Sequence, residues 1–108
     1  MIETIPNRDP HTPMTVMLST PFYNACPHSG EPREGSIITI TYQPDEHLIE
    51  LHSIEKYLKT LSEGTDALDL ETVAQLVYKE CQQIGIRVIV TANYKLRNGL
   101  EMIVVVGK

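Results

Sequence analysis

The dipeptide Asn98-Gly99 constrains the fold most strongly, because both residues tolerate the positive φ angles that a type I′ turn requires. Before it, residues 86–95 alternate between apolar and polar side chains, and residues 100–106 after it are mostly apolar. Alternation with a period of two is typical of a strand with one buried face. The C-terminal part of the chain is therefore predicted to form an antiparallel hairpin.

Two segments before this hairpin have apolar residues at helical spacing. The first is predicted to begin at the N-cap Ser53 and to end at Gly64, and the second to begin at the N-cap Asp69 and to end at Gly85. The apolar face of the first is Ile54, Tyr57, Leu58 and Leu61, and that of the second is Leu70, Val73, Val77, Cys81 and Ile84. Both segments are predicted to be amphipathic helices.

The rest of the chain is predicted to add two strands. Residues 15–19 and 36–42 are rich in β-branched and apolar residues, residues 48–51 form a short extended continuation, and residues 1–14, with three prolines, form an extended arm without a core of its own. The order ββααββ favours a single α+β domain over residues 1–108, with an antiparallel sheet and two helices on one face.

The net charge of −5, with a pI near 5.2, favours a small-molecule ligand over a polynucleotide, which usually meets a basic patch. An oligomer can still assemble a local basic surface that the net charge hides. The N-terminus lacks the apolar core of a signal peptide, and no apolar run is long enough to span a bilayer. A cytoplasmic protein with reduced cysteines is expected.

Residues 22–34 hold one cysteine, two prolines and a glycine between two predicted strands. Pro27 keeps Cys26 out of a helix, and Gly30 and Pro32 then turn the chain, so the thiol lies on a shaped loop. Such a thiol is a nucleophile if a neighbour lowers its pKa or accepts its proton. The alternative is a small buried apolar residue, as most free cysteines are. Spacing alone leaves both readings open.

This loop resembles that of the QueF family, the 7-cyano-7-deazaguanine reductases of the tunnelling-fold superfamily. The resemblance rests on Glu-Thr-Ile-Pro-Asn at residues 3–7, Cys-Pro-His-Ser-Gly-Glu-Pro at residues 26–32, and Tyr-Lys-Leu-Arg-Asn-Gly at residues 94–99. It implies a tunnelling fold and a covalent thioimide formed when Cys26 attacks a nitrile. It also implies that Glu71 binds the guanine-like edge of the ligand; the alternative for Glu71 is stabilisation of the first helical turn by the helix dipole.

The chain also departs from the family. The catalytic aspartate expected seven residues after the cysteine is replaced by Arg33, and a histidine expected before Glu71 is replaced by Leu70. Glu34 is the candidate catalytic acid in place of the aspartate, and Glu31 is the other carboxylate considered, although neighbouring residues on a strand point to opposite faces.

The family segment that meets the NADPH phosphates is also altered. It corresponds to Glu-Leu-His-Ser-Ile-Glu at residues 50–55, where His52 and Glu55 replace two lysines. No cofactor is therefore expected, and His52 and Ser53 become candidate substrate-binding residues. The four scattered histidines have no metal-ligand spacing, so no metal site is expected.

The leading hypothesis is a QueF-like enzyme that captures 7-cyano-7-deazaguanine at Cys26 and acts without reduction, for example by forming an amidine. The alternatives are an NADPH-dependent reductase with a rebuilt cofactor site and a family member that binds the deazaguanine without turnover. The expected partner is the free base or the same base within tRNA. Open sheet edges and the resemblance together predict a homo-oligomer built on pentameric rings, without a membrane partner.

Overall fold

The computed structural model describes residues 1–23, 25, 29–64 and 69–107. Within these ranges the chain forms six strands and two α-helices. They are β1 (Thr4–Pro6), β2 (Val16–Pro21), β3 (Arg33–Tyr42), β4 (His47–Ile49), α1 (Leu51–Gly64), α2 (Leu70–Gln83), β5 (Val88–Lys95) and β6 (Glu101–Val106). Neither helix in the described part of the chain is both long and apolar enough to cross a membrane.

The main sheet has four antiparallel strands in the order β2-β3-β5-β6, with both helices inserted in the chain between β3 and β5. A second sheet, which the sequence did not predict, pairs β1 of the N-terminal segment with β4. Thr4 lies opposite Ile49 there, and Ile2 just before it is fully buried. The prediction of an antiparallel α+β fold is confirmed, with two short strands added before the helices.

One face of the main sheet forms the core with the helices. Its buried residues alternate along β3 and β5 and are Ile38, Ile40, Tyr42, Val88, Val90, Ala92 and Tyr94. The helices contribute Ile54, Leu58, Val73, Ala74, Val77 and Cys81 to the same cluster. Fully burying one large aliphatic side chain of this kind stabilises a fold by about 1.5–3 kcal/mol, so this face holds the helices on the sheet.

The start of α1 differs from the prediction. The Glu50 carboxylate accepts hydrogen bonds from the backbone N–H groups of His52 and Ser53, both at 2.8 Å, so Glu50 caps the helix. Ser53 is not the N-cap but lies in the first turn, where its hydroxyl accepts a hydrogen bond from Glu3 N–H at 2.8 Å. Each of the two carboxylate oxygens of Glu50 accepts from one free amide at the start of the helix, Oε2 from His52 and Oε1 from Ser53.

The predicted ends of α2 and the predicted hairpin are confirmed. Asp69 caps α2 by accepting a hydrogen bond from Thr72 N–H at 2.7 Å, and Gly85 follows the helix with φ +79°. Between β5 and β6, Asn98 and Gly99 have φ 62° and 75°, the left-handed region that this turn requires. Local sequence signals therefore fix both features.

Candidate functional site

The cysteine loop connects β2 to β3 and lies against the core. Cys26, the predicted nucleophile, lies outside the described residues, as do Asn24, Pro27 and His28. On its N-terminal side Phe22 is buried against the ring of Tyr94, with ring centroids 6.5 Å apart, and its N–H donates to Ser36 O at 3.0 Å. Ala25 is buried as well. The described residues before the cysteine are therefore anchored to the sheet.

On the C-terminal side of the loop, the Glu31 carboxylate lies between two arginines. Its Oε1 accepts a hydrogen bond from Arg33 Nε at 3.0 Å and another from the backbone N–H of Arg97 at 3.2 Å, and the Arg97 guanidinium is 3.7 Å away. The Glu31 side chain is only 16% exposed. Its second oxygen, Oε2, is buried without a hydrogen-bond partner among the described residues. Arg33, at the position of the family aspartate, is thus engaged with Glu31.

Glu34, the predicted catalytic acid, is the second residue of β3 and is exposed. The register of β3 against β5 shifts between Arg33 and Ile37, so a bulge lies there. Buried Ser36 holds the bulge, because its Oγ donates to Arg33 O and accepts from Lys95 N–H, both at 2.7 Å. The strand alternation used to place Glu34 therefore does not apply at this end of β3.

Glu71, the predicted ligand for the guanine-like edge, is exposed in the first turn of α2. The turn is fixed by the Asp69 cap and by Tyr94, whose hydroxyl donates to Leu70 O at 2.9 Å. Burial raises the pKa of Tyr94, and the negative charge of Glu71 raises it further. Glu71 is thus an accessible carboxylate on a fixed turn, which suits either binding a ligand or stabilising the helix dipole.

His52 and Ser53 occupy different surroundings. Ser53 is buried and its hydroxyl is engaged with Glu3 and with Glu50 O, the latter at 2.8 Å. His52 is exposed and, together with Glu55, lines a pocket of about 280 Å³ between β2 and α1. Of the described residues lining this pocket, none is a lysine or an arginine. A neighbouring pocket of about 240 Å³ shares Glu55 and contains Lys59.

Within the described part of the chain, the predicted site residues lie on three different elements, β3, α1 and α2. His52 lies at a pocket, Glu71 on the first turn of α2, and Glu34 on an exposed strand end.

Hydrogen bonds to the amides of His52 and Ser53 hold the pKa of Glu50 below its ordinary value of 4.5. Cys81 is buried on α2 as predicted, and burial raises the pKa of its thiol to about 12, which makes it unreactive at neutral pH.

The fold and the loop define an α+β protein in which a cysteine loop is tied to a β-hairpin turn by a largely buried carboxylate. No family model matches the chain. It is 32% identical over 111 residues to the NADPH-dependent 7-cyano-7-deazaguanine reductase of Syntrophus aciditrophicus (strain SB), covering 95% of this chain and 74% of that protein.

Two further relatives carry the same name. That of Thermomicrobium roseum is 30% identical over 111 residues, covering 95% of this chain and 80% of that protein. That of Chlorobaculum parvum is 41% identical over 58 residues, covering 53% of this chain and 49% of that protein. The chain belongs to the 7-cyano-7-deazaguanine reductase, or QueF, family. The resemblance found in the sequence is thereby confirmed.

Proposed function

We propose that this chain is an enzyme that captures the nitrile of 7-cyano-7-deazaguanine at Cys26 as a covalent thioimide and converts it without hydride transfer. This choice of substrate is supported by the similarity, over 95% of the chain, to two proteins named for acting on this compound. The Cys-Pro-His-Ser-Gly-Glu-Pro run at residues 26–32 supplies the thiol on a turn-rich loop. A thiolate is strongly nucleophilic, and a nitrile carbon is a compact electrophile.

The proposed reaction has two steps that balance without an oxidant or a reductant. First, the Cys26 sulfur forms a bond to the nitrile carbon while the thiol proton ends on the nitrile nitrogen, which gives a neutral thioimide. Second, ammonia attacks the thioimide carbon, the carbon–sulfur bond breaks, and the released thiolate regains a proton. The product is an amidine. The substrate is the free base or the same base within an RNA.

The absence of reduction is supported by the surface around residues 50–55. A dinucleotide phosphate is strongly anionic, and lysines bind phosphates as point charges. His52 and Glu55 line the pocket beside α1, and the described residues of that lining include no lysine or arginine. One repulsive contact at 4 Å costs about 1 kcal/mol in water, which lowers affinity several-fold. The pocket is thus unfavourable for the NADPH phosphates.

The second candidate is an NADPH-dependent reductase, favoured by the names of the relatives. In that case the thioimide would receive hydride instead of ammonia, and the cofactor site would be rebuilt. Lys59 in the neighbouring pocket is one cation that such a site would use, although it shares that pocket with Glu55.

Glu71 is proposed to bind the purine-like edge of the substrate. Its carboxylate is exposed and its turn is held by Asp69 and Tyr94. A carboxylate accepts two hydrogen bonds from adjacent N–H groups, which matches the edge of a guanine-like base. His52 and Ser53 are retained as substrate-binding proposals, with His52 the more accessible of the two.

We further propose a tunnelling fold assembled into rings built on pentamers. In the described residues, β2 and β6 each pair with only one strand of the main sheet, so both edges are free to continue into neighbouring subunits. The sheet face opposite the helices also exposes large apolar side chains: Met17, Ile37, Ile103 and Val105. Light scattering at micromolar concentration tests this; a monomer would contradict it.

The function is tested by mixing the protein with 7-cyano-7-deazaguanine and measuring intact mass. We expect one ligand mass per chain in the wild type and none in Cys26→Ala, with Cys81→Ala as the matched control that keeps the adduct. Adding ammonia should then release an amidine. A persistent adduct without product would favour the binding-only alternative, and the lack of any adduct across neutral pH would contradict covalent capture.

A further inference from the structure

The pocket between β2 and α1, about 280 Å³ in volume, has mostly apolar walls. Ile40, Ile54 and Leu58 line it and are buried, whereas Leu18 is half-buried. Leu51 also lines the pocket, although it is 61% exposed. A water molecule takes up about 30 Å³ in the liquid, so the pocket has room for a ligand of several heavy atoms. Because covering exposed apolar surface is favourable, such a ligand should have an apolar part.

The charge of the pocket comes from one carboxylate. Glu55 is exposed and lines the pocket, and the described part of the lining has no lysine or arginine to offset it. The ion pairs found between described residues do not include Glu55, so Lys59, one turn further along α1, does not neutralise it by contact. Thr20 and His52 add a hydroxyl and an imidazole to the lining, and both groups can accept a hydrogen bond. The pocket thus offers a negative charge and hydrogen-bond acceptors.

The start of α1, which borders the pocket, would ordinarily attract an anion, because the first N–H groups of a helix are free and its dipole is positive there. Here the Glu50 carboxylate already accepts hydrogen bonds from the N–H groups of His52 and Ser53, both at 2.8 Å. An anion from solution would have to displace Glu50 and would also face Glu55. The charges at this end of the helix therefore favour a cation.

We infer that the pocket between β2 and α1 binds a primary alkylammonium, an amine cation with a short unbranched apolar tail. The ammonium group pairs with Glu55, and the tail lies against Leu18, Ile40 and Leu58. An ammonium ion without a tail would leave the apolar walls exposed to water, and a carboxylate with the same tail would be repelled by Glu55. This inference concerns binding alone and does not depend on the reaction proposed above.

The first test is a ligand-observed NMR titration of the wild-type chain with methylammonium, propylammonium and pentylammonium chloride. Full burial of one methylene should tighten binding about fourfold, so affinity should rise steadily along this series. Pentanol and pentanoate have tails of the same length and serve as the neutral and anionic controls. Both should bind more weakly than pentylammonium, and pentanoate should bind most weakly. Equal affinities along the series, or pentanoate binding as tightly as pentylammonium, would overturn the inference.

The second test places the cation at Glu55. Glu55→Gln should weaken pentylammonium binding about two- to fivefold, the usual range for one exposed ion pair, and should leave pentanol binding unchanged. Glu63→Gln is the matched control, because Glu63 is exposed on the same helix but does not line the pocket. It makes the same change in net charge and should leave the affinity for pentylammonium unchanged. Equal losses in the two variants would reduce the effect to net charge and overturn the inference.

Discussion

The phenolic hydroxyl of Tyr94 donates a hydrogen bond to the main-chain carbonyl of Leu70 at 2.9 Å. Tyr94 is fully buried in β5, and Leu70 is the first residue of α2. The bond therefore ties the main sheet to the helical turn that carries Glu71. Tyr94 thus helps to position Glu71, the side chain proposed to bind the ligand, without needing to contact the ligand itself.

Tyr94→Phe should remove this bond and keep the ring. We expect a loss of about 1 kcal/mol in the free energy of unfolding, the usual net value of one hydrogen bond. Ligand binding through Glu71 should weaken in the same variant, because the turn loses one anchor. Urea unfolding and titration with 7-cyano-7-deazaguanine measure the two effects.

Tyr78→Phe is the matched control for this change, because the Tyr78 hydroxyl bonds only to the exposed Gln82 side chain among the described partners. It should change stability by less than half as much. Equal losses of unfolding free energy in the two variants would mean that the buried Tyr94 hydrogen bond stabilises the fold no more than the exposed Tyr78 bond does.

Gly107 directly follows β6 and is packed tightly. Its φ is +91°, and a Cβ atom built there would lie 2.5 Å from the Tyr78 ring and 2.6 Å from Val88 O. Gly107→Ala should therefore cost about 3 kcal/mol, from overpacking added to a left-handed backbone. Gly99→Ala is the control, since its φ is +75° but nothing lies within 4 Å. It should cost only about 1 kcal/mol, and thermal or urea unfolding that ranked the two equally would contradict the packing argument.

Stability should fall on the alkaline side because burial raises the pKa of several acidic groups, among them Cys81 and the partly buried Tyr57. Burial raises the pKa of Cys81 from its ordinary value of 9.0 to about 12 and that of Tyr57 from 10.0 to about 12, with the charge of Glu80 adding to both. The folded state thus binds more protons than the unfolded state above pH 9.0, and its advantage is full below that value and lost toward about pH 12. Urea unfolding over this range should show the decline.

Cys81→Ala should make that decline in stability shallower, since one of the contributing groups is gone. The slope contributed by one such group is at most about 1.4 kcal/mol per pH unit. Glu80→Gln is a useful comparison, because it removes only the negative charge, which raises the pKa of Cys81 and Tyr57 less than burial does. If Cys81→Ala leaves the slope unchanged between pH 9.0 and 10.0, the thiol does not contribute in this range.

The parts of the fold predicted correctly are those that depend on neighbours in sequence. The Asn98-Gly99 turn needs only two residues that tolerate positive φ, and α2 needs one cap and a periodic apolar face. The pairing of β1 with β4 was missed because it joins segments more than 40 residues apart. Ser53 was misplaced for the same reason, since its partner Glu3 is 50 positions away.

The candidate site also combines features set by neighbours in sequence with features set by residues far apart in sequence. The Cys-Pro run at residues 26–32 indicates the family, and Glu34 as the catalytic acid stays a prediction, with Glu31 as the other carboxylate considered. The surroundings of these two carboxylates depend on a bulge held by Ser36 and on the contact of Glu31 with the backbone of Arg97, both of which are non-local. The glycine and serine at residues 35–36 are the one local signal that could have indicated the bulge.

The last prediction concerns NADPH. The wild-type chain should not oxidise NADPH in the presence of 7-cyano-7-deazaguanine, because a histidine, His52, and an acidic residue, Glu55, replace the two lysines expected from the family pattern. The double variant H52K/E55K replaces both. Both side chains lie at the pocket beside α1 and are exposed, so lysines are accommodated without disturbing the core. Each attractive contact gains about 1 kcal/mol in water, and removing the repulsion of Glu55 adds a similar amount, so NADPH affinity should rise at least tenfold.

Absorbance at the nicotinamide band measures NADPH oxidation, and a binding titration measures NADPH affinity. Lys59→Gln in the same background is the control for the neighbouring pocket. Steady, substrate-dependent loss of NADPH absorbance in the wild type would instead establish the reductase, and a flat trace beside a Cys26 adduct would support the non-reductive route.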